Sequence, residues 1–164
     1  METLKKIDHS ALRINQIVII LLNILAFVFN LSWLAALVAL VMLVGVLLSV
    51  PGFGFIYYYV LKPAGLARPE ILLDNPEPHR FAQALGAVFM LAGSAAFLLG
   101  QPGLGWSLVW LVAGLAALNA FAGFCAGCMI YYWLSRLKVP GFEKSPPGGI
   151  FPGMKPRTQA SREG

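Results

Sequence analysis

Two cysteines, Cys125 and Cys128, carry the clearest potential for chemistry in this chain. They sit in the run Asn119 to Trp133, which reads as part of a long helix. On a helix, positions i and i+3 share a face with side chains ~5–6 Å apart, close enough for two sulfurs to meet. A Cys-x-x-Cys pair of this kind can cycle between dithiol and disulfide or carry sulfur as persulfide. Apolar surroundings raise a thiol pKa and make it inert, whereas a cation or a helix N-terminus activates it. On a continuous last helix the nearby end is a C-terminus, so activation must come from neighbours. Arg13, His79 and Arg80 are the candidates at the same membrane level, with His9 close by. The alternative is inert packing, since free cysteine is a common small hydrophobe. Cys125, Cys128, His9 and His79 are also four ligands of the right kind for a metal. Nothing in their spacing joins the histidines to the pair, and each His is explained as a helix-boundary residue. No metal and no cofactor is therefore assigned.

The elements that position these groups follow from composition. The chain is 59% hydrophobic and 12% charged, far from the roughly 25% charged balance of a soluble domain. Four long apolar runs read as membrane-spanning helices over 14–29, 33–50, 81–99 and 106–134. The expected fold is an all-α integral membrane four-helix bundle, two antiparallel helical hairpins filling residues 1–138. A Pro/Gly-rich tail, 139–164, is expected to be disordered. All twelve Lys and Arg residues fall before the first span, between the second and third, or after the fourth. The opposite turns, Leu31-Ser32 and Gly100 to Gly105, have none. Because basic loops stay in the cytoplasm, both termini and the central loop are predicted there. Trp106 and Trp110 then suit the outer interface and Tyr131, Tyr132 and Trp133 the inner one, placing the thiols just inside the cytoplasmic leaflet. On that reducing side the resting form is expected to be the dithiol.

Boundary signals support the frame. Asp8 or Ser10 can cap the first helix, and Asp74 to Arg80, with prolines at 76 and 78, can open the third. The aromatic stretch Phe55 to Lys62 is expected in the headgroup zone. Gly123 and Gly127 make a small-xxx-small pair ~150° around the helix from the cysteines, at ~100° per residue, a surface for a partner helix. No span has Asp, Glu, Lys or Arg at its centre, which disfavours a proton pump or ion-coupled transporter. The basic residues are dispersed, which disfavours nucleic acid as a partner.

Three segments, Asp8-His9-Ser10-Ala11-Leu12-Arg13-Ile14-Asn15-Gln16, Asn75-Pro76-Glu77-Pro78-His79-Arg80-Phe81-Ala82-Gln83 and Gly123-Phe124-Cys125-Ala126-Gly127-Cys128, resemble the signatures of a bacterial family of small four-span membrane proteins catalogued as a domain of unknown function. The resemblance covers about residues 7 to 137. It implies a protein of the bacterial cytoplasmic (inner) membrane and no established activity. All three segments fall at cytoplasmic helix ends, which suggests one site built from His9, Arg13, Asn15, Gln16, His79, Arg80, Gln83, Cys125 and Cys128. Two functional classes follow. In one, the cysteines perform thiol-disulfide exchange or sulfur handling with a cytoplasmic thioredoxin-like or sulfur-transfer partner. In the other, the chain is a non-enzymatic membrane subunit or small-solute permease.

Overall fold

The computed structural model describes residues 4–147 and 150–156. Strand β1 (Lys5–Asp8) leads into helix α1 (His9–Val28), and α2 (Ser32–Leu48) returns. A short α3 (Gly54–Ile56) runs on into a π-helical turn, Tyr57–Leu61. Strand β2 (Ile71–Asp74) precedes α4 (Pro76–Leu98), then α5 (Pro102–Ala122) and α6 (Ala126–Arg136) complete the order. The chain is mostly helical. Three helices, α1, α4 and α5, are long and apolar enough to cross a membrane, and α2 is a shorter apolar helix. Leu47, Leu98 and Leu99 are 74%, 90% and 78% exposed, an outer surface suited to lipid rather than water.

The starts of α1 and α4 have local causes. Asp8 caps α1 by accepting the Ser10 amide N–H at 3.0 Å. Pro76 occupies the first turn of α4, where its missing N–H costs nothing, and Glu77 faces the positive helix end. Inside the bundle, small side chains set the approach of the helices: Ala26, Ala35, Ala39 and Ala87 are fully buried around Ile19, Val38, Met42, Met90, Val109 and Val112. At the end away from the cysteines, Trp106 packs edge-on against Phe27 and Phe97, with centroids 5.2 and 4.8 Å away.

Four sequence-based expectations are corrected. The fold is not purely α-helical, because β1 and β2 pair antiparallel with Lys5 opposite Asp74 and Asp8 opposite Ile71. The ribbon ties the start of α1 to the start of α4. Its period-two alternation turns Leu72 and Asp74 inward and Ile71 and Leu73 outward.

The run expected as one helix over 106–134 is broken. Helix α5 stops at Gly123, whose φ of 65° is left-handed, and Cys125 then opens α6 from an extended conformation. The cysteines thus lie at a helix N-terminus rather than near a C-terminus, and Gly123 and Gly127 do not share one helix face. Gly127 faces α4 of the same chain, where a Cβ would stand 2.6 Å from the Cβ of Ala82.

The segment expected to be disordered from residue 139 is packed against the fold over the part described. Met154 bridges Phe124, the Lys155 N–H donates to the Gly123 carbonyl at 2.9 Å, and the Asn75 side-chain amide donates to the Ser145 carbonyl at 2.9 Å. Residues 148–149 and 157–164 lie outside the described residues. The tyrosine stretch also differs from expectation. Tyr57 is fully buried, donating its hydroxyl to Asp8 Oδ2 at 2.7 Å, while Tyr58 and Tyr59 are exposed.

Candidate functional site

The ends of α1, α4 and α5 and the start of α6 meet at one end of the bundle, beside the β-ribbon. Cys125 and Cys128 are buried there and joined in a disulfide, with Cα atoms 5.2 Å apart. The expected resting dithiol is thus not the form observed. Cys125 is the N-cap of α6, and its sulfur accepts the Cys128 amide N–H at 3.1 Å. That backbone N–H and the positive end of the helix both favour negative charge on the Cys125 sulfur once the pair is reduced.

The second sulfur meets a histidine. Cys128 Sγ lies 3.6 Å from His79 Nδ1, and the opposite nitrogen of that ring, Nε2, lies 2.9 Å from Asp74 Oδ2. A carboxylate accepting from Nε2–H fixes the tautomer and leaves Nδ1 facing the sulfur. His9 approaches the same carboxylate oxygen, with Nε2 at 3.2 Å, and its ring stands edge-on to His79 at 5.5 Å.

Asp74 is 4% exposed, and burial alone would raise its pKa. The hydrogen bond from His79, the approach of His9, the charge of His79 and the Asn75 backbone N–H outweigh that burial. They hold the carboxyl well below the usual carboxylate range. Asp74 is therefore an anchored anion behind His79.

Two cavities border this cluster. One of about 100 Å³ is lined by Asn15, Gln16, His79, Gln83, Asn119 and Cys125 among others. The second, of about 320 Å³, is lined by His9, Arg13, Gln16, His79, Asn119 and Cys125 and closed on one side by Gly153 and Lys155. Cys125 borders both and Cys128 borders neither, so these cavities reach the pair from the Cys125 side.

The residues singled out from sequence divide accordingly. His79, Cys125 and Cys128 are in one cluster, whose ligand-type atoms all lie within 4.8 Å of one another. His9 stands one step back, through Asp74, so both histidines are spatial neighbours of the pair despite the lack of any joining spacing. Gln16 lines both cavities with Cys125, and Arg13 lines the larger one. Arg80 does not reach the cysteines; it lines a separate cavity with Lys6 and Asp8. Asn15 serves the backbone, accepting the Phe53 N–H at 2.7 Å. Gln83 donates to the Met42 and Val50 carbonyls at 3.2 and 3.3 Å and also borders the smaller cavity.

Sequence reasoning missed Asp74, Asn119, Gly153 and Lys155 as site residues. From the sequence, Asp74 reads only as part of the approach to α4. The length of the last apolar run was a usable warning, since 106–134 as one helix would be ~44 Å long against a ~30 Å hydrocarbon core. The tail contacts had no sequence signal. The Cys125 N–H donates to the Gly153 carbonyl at 2.7 Å, and Lys155 pairs with Glu70 at 2.5 Å, 85 positions away.

The family model described as DUF4395, a domain of unknown function, matches residues 7–136. The chain belongs to this family. The matched region includes the cluster from His9 through Asp74 and His79 to Cys128, with all of the ribbon but Lys5 and Lys6, and leaves Gly153 and Lys155 outside it. No curated protein and no solved structure matches the chain.

Proposed function

We propose that this DUF4395 protein is a thiol-disulfide exchange protein of the bacterial cytoplasmic membrane, with α1, α2, α4 and α5 as four spans and the Cys125–Cys128 end on the cytoplasmic side. The observation that carries the reading is the line Asp74–His79–Cys128 meeting a partner sulfur, Cys125, at a helix N-terminus. A packing pair of cysteines needs neither a carboxylate-anchored histidine nor a bordering cavity. The orientation rests on the distribution of Lys and Arg between the loops.

The chemistry balances with a dithiol partner of the thioredoxin-like class. A partner thiolate attacks Cys125 Sγ from the cavity side, forming a mixed disulfide and breaking the Cys125–Cys128 bond. The proton that the partner thiol lost on forming its thiolate loads His79 Nδ1, Asp74 steadying that imidazolium, and His79 passes it to the Cys128 sulfur on which the electron pair leaves. The partner's second thiol then attacks the mixed disulfide, releasing Cys125 as a thiol and the partner as a disulfide. Two electrons and two protons have moved, and the reverse sequence oxidises the pair. Arg13, facing the larger cavity, favours an approaching thiolate.

The test counts thiols on the detergent-solubilised protein with a maleimide mass tag. Two tags are expected only after treatment with a dithiol, and His79→Gln should slow that reduction by roughly 10²–10⁴-fold, the range of a positioned general acid. Reduction at an unchanged rate in His79→Gln, or sulfurs that never label under native conditions, would remove the basis for the proposal.

A further inference from the structure

We infer that, once reduced, Cys125, Cys128 and His79 form a zinc-type metal site, with Asp74 as the positioning residue behind the histidine. The inference rests on the pair being reducible, as the exchange reading also requires, and goes beyond it in assigning a ligand to the reduced state.

The donor set fits the ion. Thiolate sulfur and imidazole nitrogen select borderline-soft metals, and zinc above all in tetrahedral sites. With Zn–S ~2.3 Å and Zn–N ~2.0–2.1 Å, tetrahedral geometry separates a sulfur from a nitrogen by ~3.6 Å. The Cys128 Sγ to His79 Nδ1 distance is 3.6 Å. The two sulfurs would need to be ~3.7 Å apart by the same geometry, a spacing reached by side-chain rotation once the bond between them is reduced. Cys125 as N-cap and Cys128 one turn on already point to the same place.

The support around the ligands is also of the metal-site kind. A ligating histidine characteristically gives its other ring N–H to a carboxylate, and His79 Nε2 does so to Asp74 at 2.9 Å. Two thiolates with a divalent ion and a neutral imidazole sum to zero charge, which suits ligands that are 5% and 3% exposed. The cavities bordering Cys125 and His79 leave room for a fourth, exchangeable ligand. The proton and electron account is simple. Reduction by a dithiol or phosphine supplies two electrons and two protons to the disulfide, and metal binding releases the two thiol protons to solvent. Oxidation would expel the ion, so the same sulfurs cannot do both at once.

The test titrates Co²⁺ into the full-length protein, reduced with a phosphine and kept anaerobic in detergent, with thiols counted in parallel by maleimide tagging. One equivalent should bind with near-ultraviolet thiolate-to-cobalt charge transfer and the intense visible bands of tetrahedral cobalt, and Zn²⁺ should displace it. The unreduced protein should show neither band, a comparison needing no variant. Asp74→Asn should keep the spectrum with roughly 10–100-fold weaker affinity, as loss of a carboxylate behind a ligating histidine does. Two tags without charge transfer would overturn the metal site and leave thiol exchange standing. Charge transfer and affinity unchanged in His79→Gln would also overturn it. Sulfurs that never become taggable would overturn both readings.

Discussion

Replacing Gly127 by alanine tests how the cluster is held together. Gly127 lies on the face of α6 that crosses α4, and a Cβ built there would stand 2.6 Å from Ala82 Cβ and 2.7 Å from Ala82 Cα. Carbon atoms rest at ~3.5–4.0 Å, so the helices must separate by about 1 Å. Neither neighbour can rotate out of the way, since one atom is backbone and the other is fixed to it. Overpacking of this kind costs ~1–3 kcal/mol, and the unyielding contact puts Gly127 at the upper end. Alanine recovers ~1 kcal/mol of helix propensity, leaving a net loss of about 2 kcal/mol. At ~2–4 °C per kcal/mol for a chain of this size, the thermal midpoint should fall by roughly 4–8 °C. The control is Gly114→Ala in α5, where a Cβ would meet nothing within 4 Å. There the propensity gain stands alone and the midpoint should rise by roughly 2–4 °C. Both variants are read by circular-dichroism melting in the same detergent. Because α6 carries Cys128 away from His79, Gly127→Ala should also slow reduction of the disulfide. A midpoint that rises in both variants would show that the α4–α6 approach is not tight, and the argument from it would fail.

Three further outcomes are expected. In Gly153→Ala, a residue at φ +89° acquires a Cβ 2.7 Å from the Cys125 carbonyl oxygen, a strain of roughly 1–2 kcal/mol. The covering segment should loosen, with faster tryptic cutting after Lys144 and faster disulfide reduction; unchanged rates would show that the segment does not cover the pair. Tyr57 has its pKa pushed up to about 12 by burial and by its bond to Asp8, so its share of stability is whole below pH 10 and lost as pH rises toward 12. Tyr57→Phe should lose about 1.5–3 kcal/mol at neutral pH, yet a shallower alkaline decline is expected in melting curves against pH; an identical slope would contradict the assignment. Finally, in a Cys125→Ser/Cys128→Ser background, single cysteines at Ser32 or Gln101 should react with an impermeant maleimide added to intact cells, and one at Lys62 should not. The opposite pattern would put the pair on the oxidising side of the membrane.

The sequence by itself determined the parts that depend on local composition and period. Long apolar runs located α1, α2, α4 and the body of α5, three of them, α1, α4 and α5, long enough to cross a membrane, where a backbone must satisfy its own hydrogen bonds. Proline at the start of α4 and Asp8 before α1 marked those boundaries through bonds that span only a few residues. The Cys-x-x-Cys spacing is local as well, and it does bring the two sulfurs together.

Tertiary structure decided what the pair faces. His79 reaches Cys128 across 49 positions, and His9 meets Asp74 only because the β-ribbon clamps the starts of α1 and α4 side by side. The helix break at Gly123 follows from the same cause. A left-handed glycine followed by two extended residues is stable here because Gly153 and Lys155 return to take up the backbone groups that the break exposes. A local pattern of apolar residues favours continuing the helix. The competing hydrogen bonds come from a segment some thirty residues later, and no period within the run encodes them.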